Sequence, residues 1–365
     1  MKLFIIHASA GSGHKKIAEA ISGYAFERYG SQDVSILDVL DFTSLPFKFL
    51  YSKGYIFVIS HMNWLWNILF FLADTPCLKV INQYFRYLIN KVLCRRFIKY
   101  IESEKPDVIL STHFLVNELV SMMKERKLKN TKLISVITDF GVHNFWIAKN
   151  VDYFCVASDK TRQILISKGV NESKIKVVGI PTRKQFHKEL DKGQIKNRLS
   201  ISEDDFTVLI LTGGIGIGPI YEVISLLEDR VNIIAICGNN KQLYSRLESL
   251  NFKKLKVLGW IDYIQEVMKA SDVAITKPGG STISECLVMD LPMIFFSIIP
   301  GQEFQNSQLI SQLGLGMVIK NPAEIKEKIL KLKDYPQELN DTKQRINDFK
   351  MADSSERILD LIDEK

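Results

Sequence analysis

Residues 274–310 read AITKPGGSTISECLVMDLPMIFFSIIPGQEFQNSQLI. A short apolar strand stops at Gly279 and Gly280, and helical spacing begins near Ser281. A second strand, MIFFS (293–297), stops at a second glycine loop, PGQE (300–303), before another helical run. Two strand–loop–helix units in succession predict neighbouring parallel strands joined by right-handed crossovers.

The same grammar runs outward through the chain. β-rich runs occur at KLFII (2–6), DVIL (107–110), KLISVIT (132–138), YFCVA (153–157), FTVLILT (206–212), VNIIAI (231–236) and KLKVLGW (254–260), mostly separated by helical spacing. The expected fold class is α/β, with parallel sheets in two similar halves. Each half opens with a strand, a glycine loop and a helix. With 365 residues there is room for two domains, at roughly 100–200 residues each. We divide the chain into an N-terminal domain (1–186), a polar linker (187–204), a C-terminal domain (205–336) and C-terminal helices (337–365) able to pack back on the N-terminal half. A ligand then belongs outside the carboxyl ends of the strands, in a cleft faced by both sheets.

Apolar content of 46% and mixed charge of 24% describe a globular chain. The five cysteines form no C-x-x-C pair, which suits a reducing interior and argues against a disulfide framework or a zinc ribbon. Residues 3–6 are too short for the apolar core of an export signal. The net charge of +7 is concentrated: residues 46–105 hold nine Lys/Arg and three acids, or +6. This segment also holds Trp64, Trp66 and an apolar run at 55–73 broken by Ser60, His61, Asn63 and Asn67. Polar residues inside a membrane span are costly. We read an interfacial surface instead, with Trp64 and Trp66 at the headgroup boundary and Arg95, Arg96 and Lys99 toward anionic lipid. The plainer alternative is a core helix with a solvated basic face.

The loops carry the chemistry. A helix starting after Gly279–Gly280 offers free N–H groups and a positive dipole end to a diphosphate. Glu285, one turn in, can accept hydrogen bonds from ribose hydroxyls. Gln302 and Glu303 set an amide beside a carboxylate, a pair suited to vicinal sugar hydroxyls. LTGGIGIGP (211–219), with Gly213 and Gly214, can cradle phosphate. CGNN (237–240) and LGW (258–260) end further strands. Each loop alone is equally well a tight turn that needs glycine; together they converge. No two aspartates stand at i and i+2, and the six histidines show no metal-ligand spacing. No metal or other cofactor is expected, and no nucleic acid partner.

KPGG-x-T-x-x-E followed by PGQE-x-x-N, with an N-terminal glycine loop ending in His14, resembles the processive diacylglycerol glycosyltransferases and the plant-type monogalactosyldiacylglycerol synthases. These are GT-B glycosyltransferases, with the peptidoglycan lipid-linked GlcNAc transferases more distant. VITDFGVHNFWIAKNVDYFCVAS (136–158) and KVVGIPTRKQF (176–186) extend the resemblance over nearly the whole chain. It implies a GT-B fold of two Rossmann-like domains, a UDP-hexose donor and a diacylglycerol acceptor at the cytoplasmic face of a membrane. It also implies an inverting reaction without bound metal. Glu285 would hold the ribose. Gly279, Gly280, Ser281 and Thr282 would face the diphosphate, with Gly213 and Gly214 opposite. Trp260 and Ile261 would frame the uracil, Gln302 and Glu303 would read the sugar, and Asn306 would support that loop or the nucleotide. CLVMDLP after Glu285 departs from the small residues common in the family, which touches helix packing more than chemistry.

An inverting transfer needs one general base for the acceptor hydroxyl. ASAGSGHKK (8–16) fails the phosphate-loop pattern G-x-x-x-x-G-K-[ST] at Ala8 and His14. Gly11 and Gly13 instead let an acceptor approach the backbone. His14, with an ordinary pKa of ~6.5, is the first candidate base; acceptor positioning and loop capping are its other readings. Asp139 is the second candidate, as the base itself or as a histidine's orienting partner. His113, His143 and Trp146 are candidate acceptor contacts. An Asx-turn and a core tryptophan are the plain alternatives for Asp139 and Trp146. A transferase acting on a polyprenyl-linked lipid and a non-catalytic UDP-sugar-binding regulator are the rival functions.

Overall fold

The computed structural model describes residues 1–9, 11–54, 89–211 and 220–364. The chain forms two compact units. One holds Met1–Lys184, Ile299–Gln305 and Met351–Lys365; the other holds Gln185–Ile298 and Asn306–Lys350.

The first unit is a six-stranded parallel sheet, in the order β2 (Val34–Asp38), β1 (Leu3–His7), β3 (Val108–Ser111), β4 (Lys132–Val136), β5 (Tyr153–Val156) and β6 (Ile175–Val177). β1 is apolar up to His7 and buried at every position, as expected of a strand covered on both faces. The second unit is another six-stranded parallel sheet, in the order β12 (Gly316–Val318), β11 (Met293–Phe295), β10 (Val273–Thr276), β7 (Thr207–Leu211), β8 (Asn232–Ile236) and β9 (Leu255–Leu258). The α/β expectation with parallel sheets therefore holds.

Strand order decides where ligands go. In the first sheet the winding reverses between β1 and β3, in the second between β7 and β10. Loops at the carboxyl ends of strands flanking such a reversal diverge and leave a crevice. The loop after β1 leads to His14, and the loop after β3 holds Thr112 and His113. The loop after β10 is KPGG. The loop after β7, with Gly213 and Gly214, lies outside the described residues, as do Trp64 and Trp66.

Three strands escape the reading of apolar runs. β2 (VSILD) alternates polar residues and is only half-buried at an edge. β6 and β12 are three-residue edge strands. The first helix, Ser12–Tyr29, starts two residues before His14 rather than after it. Gly11–Ser12–Gly13 reads as loop because glycine disfavours helix, but a first turn has little helix to lose.

The stretch 187–204 contains the helix Lys192–Arg198, with Ile195 and Lys196 buried. The Lys196 ammonium donates to the carbonyls of Glu203 (2.7 Å) and Asp205 (2.6 Å). The C-terminal helix Ser354–Asp363 belongs to the first unit and buries Ile358, Leu359, Leu361 and Ile362. Arg28 meets Asp360 at 2.7 Å and Asp363 at 2.6 Å. Lys132 Nζ donates to the carbonyls of Leu361, Ile362 and Glu364 at the helix's end, where a cation is favoured by the dipole.

The helix Arg95–Glu104 buries Phe97 and Ile101, and Cys94 just before it, while Arg95, Arg96 and Lys99 are exposed. Its apolar stripe is ordinary core, and its basic face is free for a surface role. Among the described residues no helix is long and apolar enough to cross a membrane.

Candidate functional site

In the first unit His14 is the third residue of its helix and is half-buried. Its ring Nδ1 lies 2.7 Å from the carbonyl oxygen of Thr112 and 3.0 Å from Thr138 Oγ1. A carbonyl can only accept, so Nδ1 carries the proton and Nε2 keeps its lone pair. Thr112 returns the contact: its hydroxyl donates to the His14 carbonyl at 3.1 Å. Nε2 makes no hydrogen bond among the described residues. Burial pushes the His14 pKa down to about 4; the Thr112 carbonyl opposes the shift and nearby His7 adds to it. The imidazole is therefore neutral at pH 7, with an open acceptor nitrogen. Those are the two features a general base needs.

Around it, the His113 ring stands edge-on at 4.6 Å between centroids and Trp146 lies at 6.2 Å. His113 and His143 are both nearly sealed from solvent. Each uses Nδ1 to cap a helix: His113 accepts from Leu115 N (3.1 Å) at the start of Phe114–Lys124, and His143 accepts from Phe145 N (3.2 Å). Histidine is not among the preferred capping residues, so the sequence suggested acceptor contacts only. Trp146 is fully buried in the main apolar cluster of this unit. Asp139, also buried, follows Thr138 directly. A Cβ built on Gly11 meets nothing within 4 Å, and its backbone is extended; the position leaves open space and does not demand glycine conformationally. The residues that sequence reading missed are Thr112 and Thr138. They sit 98 and 124 positions from His14, and only their place at the ends of β3 and β4 hints at them.

In the second unit the helix Gly280–Val288 begins after β10 with Gly279 as its cap residue, no side-chain cap and no acid in its first turn. The N–H groups of Gly280, Ser281 and Thr282 have no acceptor among the described residues. Three unspent donors and about half a positive charge of helix dipole make a ready anion site. A Cβ on Gly279 also meets nothing within 4 Å. Glu285, one turn further, is buried. Asn306 is buried too, and its amide donates to the Pro278 carbonyl at 3.0 Å, tying the loop down. Trp260, two residues after β9, is 67% exposed, and Ile261 is half-buried.

Gln302 and Glu303 open the helix Gln302–Gln312 and fall in the first unit. Glu303 Oε2 accepts from Ile299 N at 2.9 Å, so one of its oxygens is committed to holding the loop. The half-buried Gln302 side chain has no hydrogen bond among the described residues. Among the described residues no three His, Cys, Asp or Glu side chains gather as a metal site.

The monogalactosyldiacylglycerol (MGDG) synthase family profile matches residues 14–182, and the glycosyltransferase family 28 C-terminal domain matches residues 217–358. A processive diacylglycerol beta-glucosyltransferase of Bacillus licheniformis is 29% identical over 99% of this chain and 94% of its own. The chain is thus similar, over nearly its whole length, to proteins named as processive diacylglycerol beta-glucosyltransferases. Two solved structures share the fold end to end. Acinetobacter baumannii MurG has a TM-score of 0.63 at 13% identity, each chain covered 100%. The UDP-GlcNAc 2-epimerase of Neisseria meningitidis bound to UDP-GlcNAc has a TM-score of 0.64 at 12% identity, again with 100% of each chain covered. The fold is thus GT-B-like, two parallel-sheet units as expected.

Proposed function

We propose that the protein transfers a hexosyl group from a UDP-hexose to diacylglycerol at a membrane surface, with inversion and without a bound metal ion. The observation that carries this reading is the unspent N–H triplet at Gly280, Ser281 and Thr282 above buried Glu285, in a chain related throughout to processive diacylglycerol beta-glucosyltransferases. His14 Nε2 takes the proton of the acceptor hydroxyl as its oxygen bonds to the sugar's anomeric carbon. The bond from that carbon to UDP breaks, and the electron pair leaves on the diphosphate. Donors already aimed at that charge cost no reorganisation during reaction, which is the part a metal ion plays elsewhere.

Membrane contact is supported by the exposed face of Arg95, Arg96 and Lys99 and by exposed Leu45, Phe49, Leu50 and Val92 on either side of residues 55–88. Apolar residues beside cations suit an anionic bilayer surface. On this reading the protein is peripheral, on the cytoplasmic side.

The epimerase with the same fold supports a second reading, interconversion of UDP-sugars. It gives no use for the basic and apolar surface, and the full-length relatives favour transfer. The test is to incubate the protein with a panel of UDP-hexoses and anionic vesicles containing diacylglycerol, reading UDP release and product mass. A glycosyl diacylglycerol supports the proposal. Product only on polyprenyl-linked lipid moves the acceptor. Donor binding without UDP release makes the protein a regulator, and a changed UDP-sugar without lipid makes it an epimerase.

A further inference from the structure

His14 has no carboxylate partner among its hydrogen bonds; it has two oxygens. The Thr112 carbonyl, after β3, approaches Nδ1 at 2.7 Å, and the Thr138 hydroxyl, after β4, approaches the same atom at 3.0 Å. One contact alone fixes which nitrogen is protonated but leaves the ring able to swing. Two contacts from different strand ends fix its plane as well. Both threonines are nearly sealed from solvent, so water does not compete for Nδ1–H.

We infer that Thr138 is a positioning residue: with the Thr112 carbonyl it holds the His14 ring so that the Nε2 lone pair faces the acceptor hydroxyl. This rests on His14 being the base of the proposed transfer. As Nε2 takes the acceptor proton the ring becomes a cation, and its Nδ1–H bond to the two oxygens strengthens. The pair therefore serves the transition state more than the ground state, so its loss falls on kcat rather than on substrate binding.

The full-length protein with 15N-labelled histidine, its Thr138→Val variant of similar shape, and its Thr138→Ser variant test this. Long-range nitrogen–proton NMR reads the His14 tautomer without any turnover. The expected result is Nδ1–H, with Nε2 unprotonated, in all three proteins, since the Thr112 carbonyl remains. Relaxation of the ring nitrogen signals should show a fixed ring in the wild type and Thr138→Ser and a swinging ring in Thr138→Val. In vesicle assays Thr138→Val should lose about 3- to 10-fold in kcat, the worth of one hydrogen bond, at unchanged KM for UDP-hexose. Thr138→Ser should recover it. Retained UDP affinity shows that the variants fold. An Nε2–H wild type, or a Thr138→Val protein with wild-type ring mobility and kcat, overturns the inference. A swinging ring with unchanged kcat upholds the orientation and removes His14 as the base.

Discussion

Lowering the pH from 7 to 5 should destabilise the protein through His14, and the size of the effect follows from its surroundings. In the unfolded chain a histidine titrates near ~6.5. In the folded protein burial holds His14 down at about 4. Between those two values the unfolded state binds more protons than the folded one, so stability rises with pH across that window and is lost as pH falls. At about 1.36 kcal/mol per unit, the full difference comes to roughly 3 kcal/mol below pH 4, and about 2 kcal/mol of it is lost by pH 5.

The comparison is with His14→Asn, whose amide can donate to the Thr112 carbonyl from near the Nδ1 position and does not titrate. Urea unfolding followed by circular dichroism at pH 7 and pH 5 gives four stabilities. The wild type should lose about 2 kcal/mol more than the variant between the two pH values. His7 is also buried with a lowered pKa, but it is present in both proteins and cancels to first order. On the proposed chemistry the same shift keeps the base neutral, so kcat/KM should stay level from pH 7 to pH 5. Equal pH losses in wild type and variant, or a His14 ring that titrates near its ordinary value by NMR, refutes the burial argument.

Three other outcomes are expected. Glu285→Gln should weaken UDP binding about 10-fold or more in calorimetry, since hydrogen bonds to a charged group are worth about 1.5–3 kcal/mol; unchanged affinity removes Glu285 from the nucleotide site. Replacing Arg95, Arg96 and Lys99 together with Ala should cut partitioning onto anionic vesicles about 100-fold at low salt, at ~1 kcal/mol per cation, while neutral vesicles show no change. Gly141→Ala should cost about 1–3 kcal/mol in urea unfolding, because the new Cβ comes within 2.5 Å of Gln305 Cβ; full stability shows that the 299–305 segment yields.

Much of the fold was legible because a parallel strand buried on both faces is a near-continuous apolar run. LFIIH, TVLIL and NIIAI are such runs. VSILD was not, since at the sheet edge only Val34 is buried and the run admits polar Ser35 and Asp38. The KPGG loop was legible for a local reason: strand, glycines and helix are adjacent in sequence, and an anion site at a helix start is built from adjacent backbone. The surroundings of His14 were not, because they are assembled by sheet order. β1 lies beside β3, and that adjacency brings Thr112 to a residue 98 positions away. His113 and His143 show another limit: their Nδ1 atoms close the first turns of helices, a role usually filled by Ser, Thr, Asp or Asn, so residue type did not foretell the caps.

The oxygens behind His14 bear on when the proton moves. A carboxylate at Nδ1 would raise the histidine's pKa toward neutrality, where a general base is strongest while still unprotonated. A carbonyl and a hydroxyl fix the same tautomer with far less pull. If His14 is the base of the proposed transfer, they leave it ready at every pH above about 5 but intrinsically weak. A weak base cannot deprotonate a free alcohol in advance. It can accept the proton once the alcohol oxygen has begun to bond to the anomeric carbon, because that oxygen then carries positive charge and its proton becomes acidic. The geometry at His14 therefore fits a transfer in which the sugar–UDP bond is well broken before the proton leaves. In such a reaction the largest demand falls on the leaving diphosphate, and on the proposed donor site a helix start with three uncommitted N–H groups would answer it.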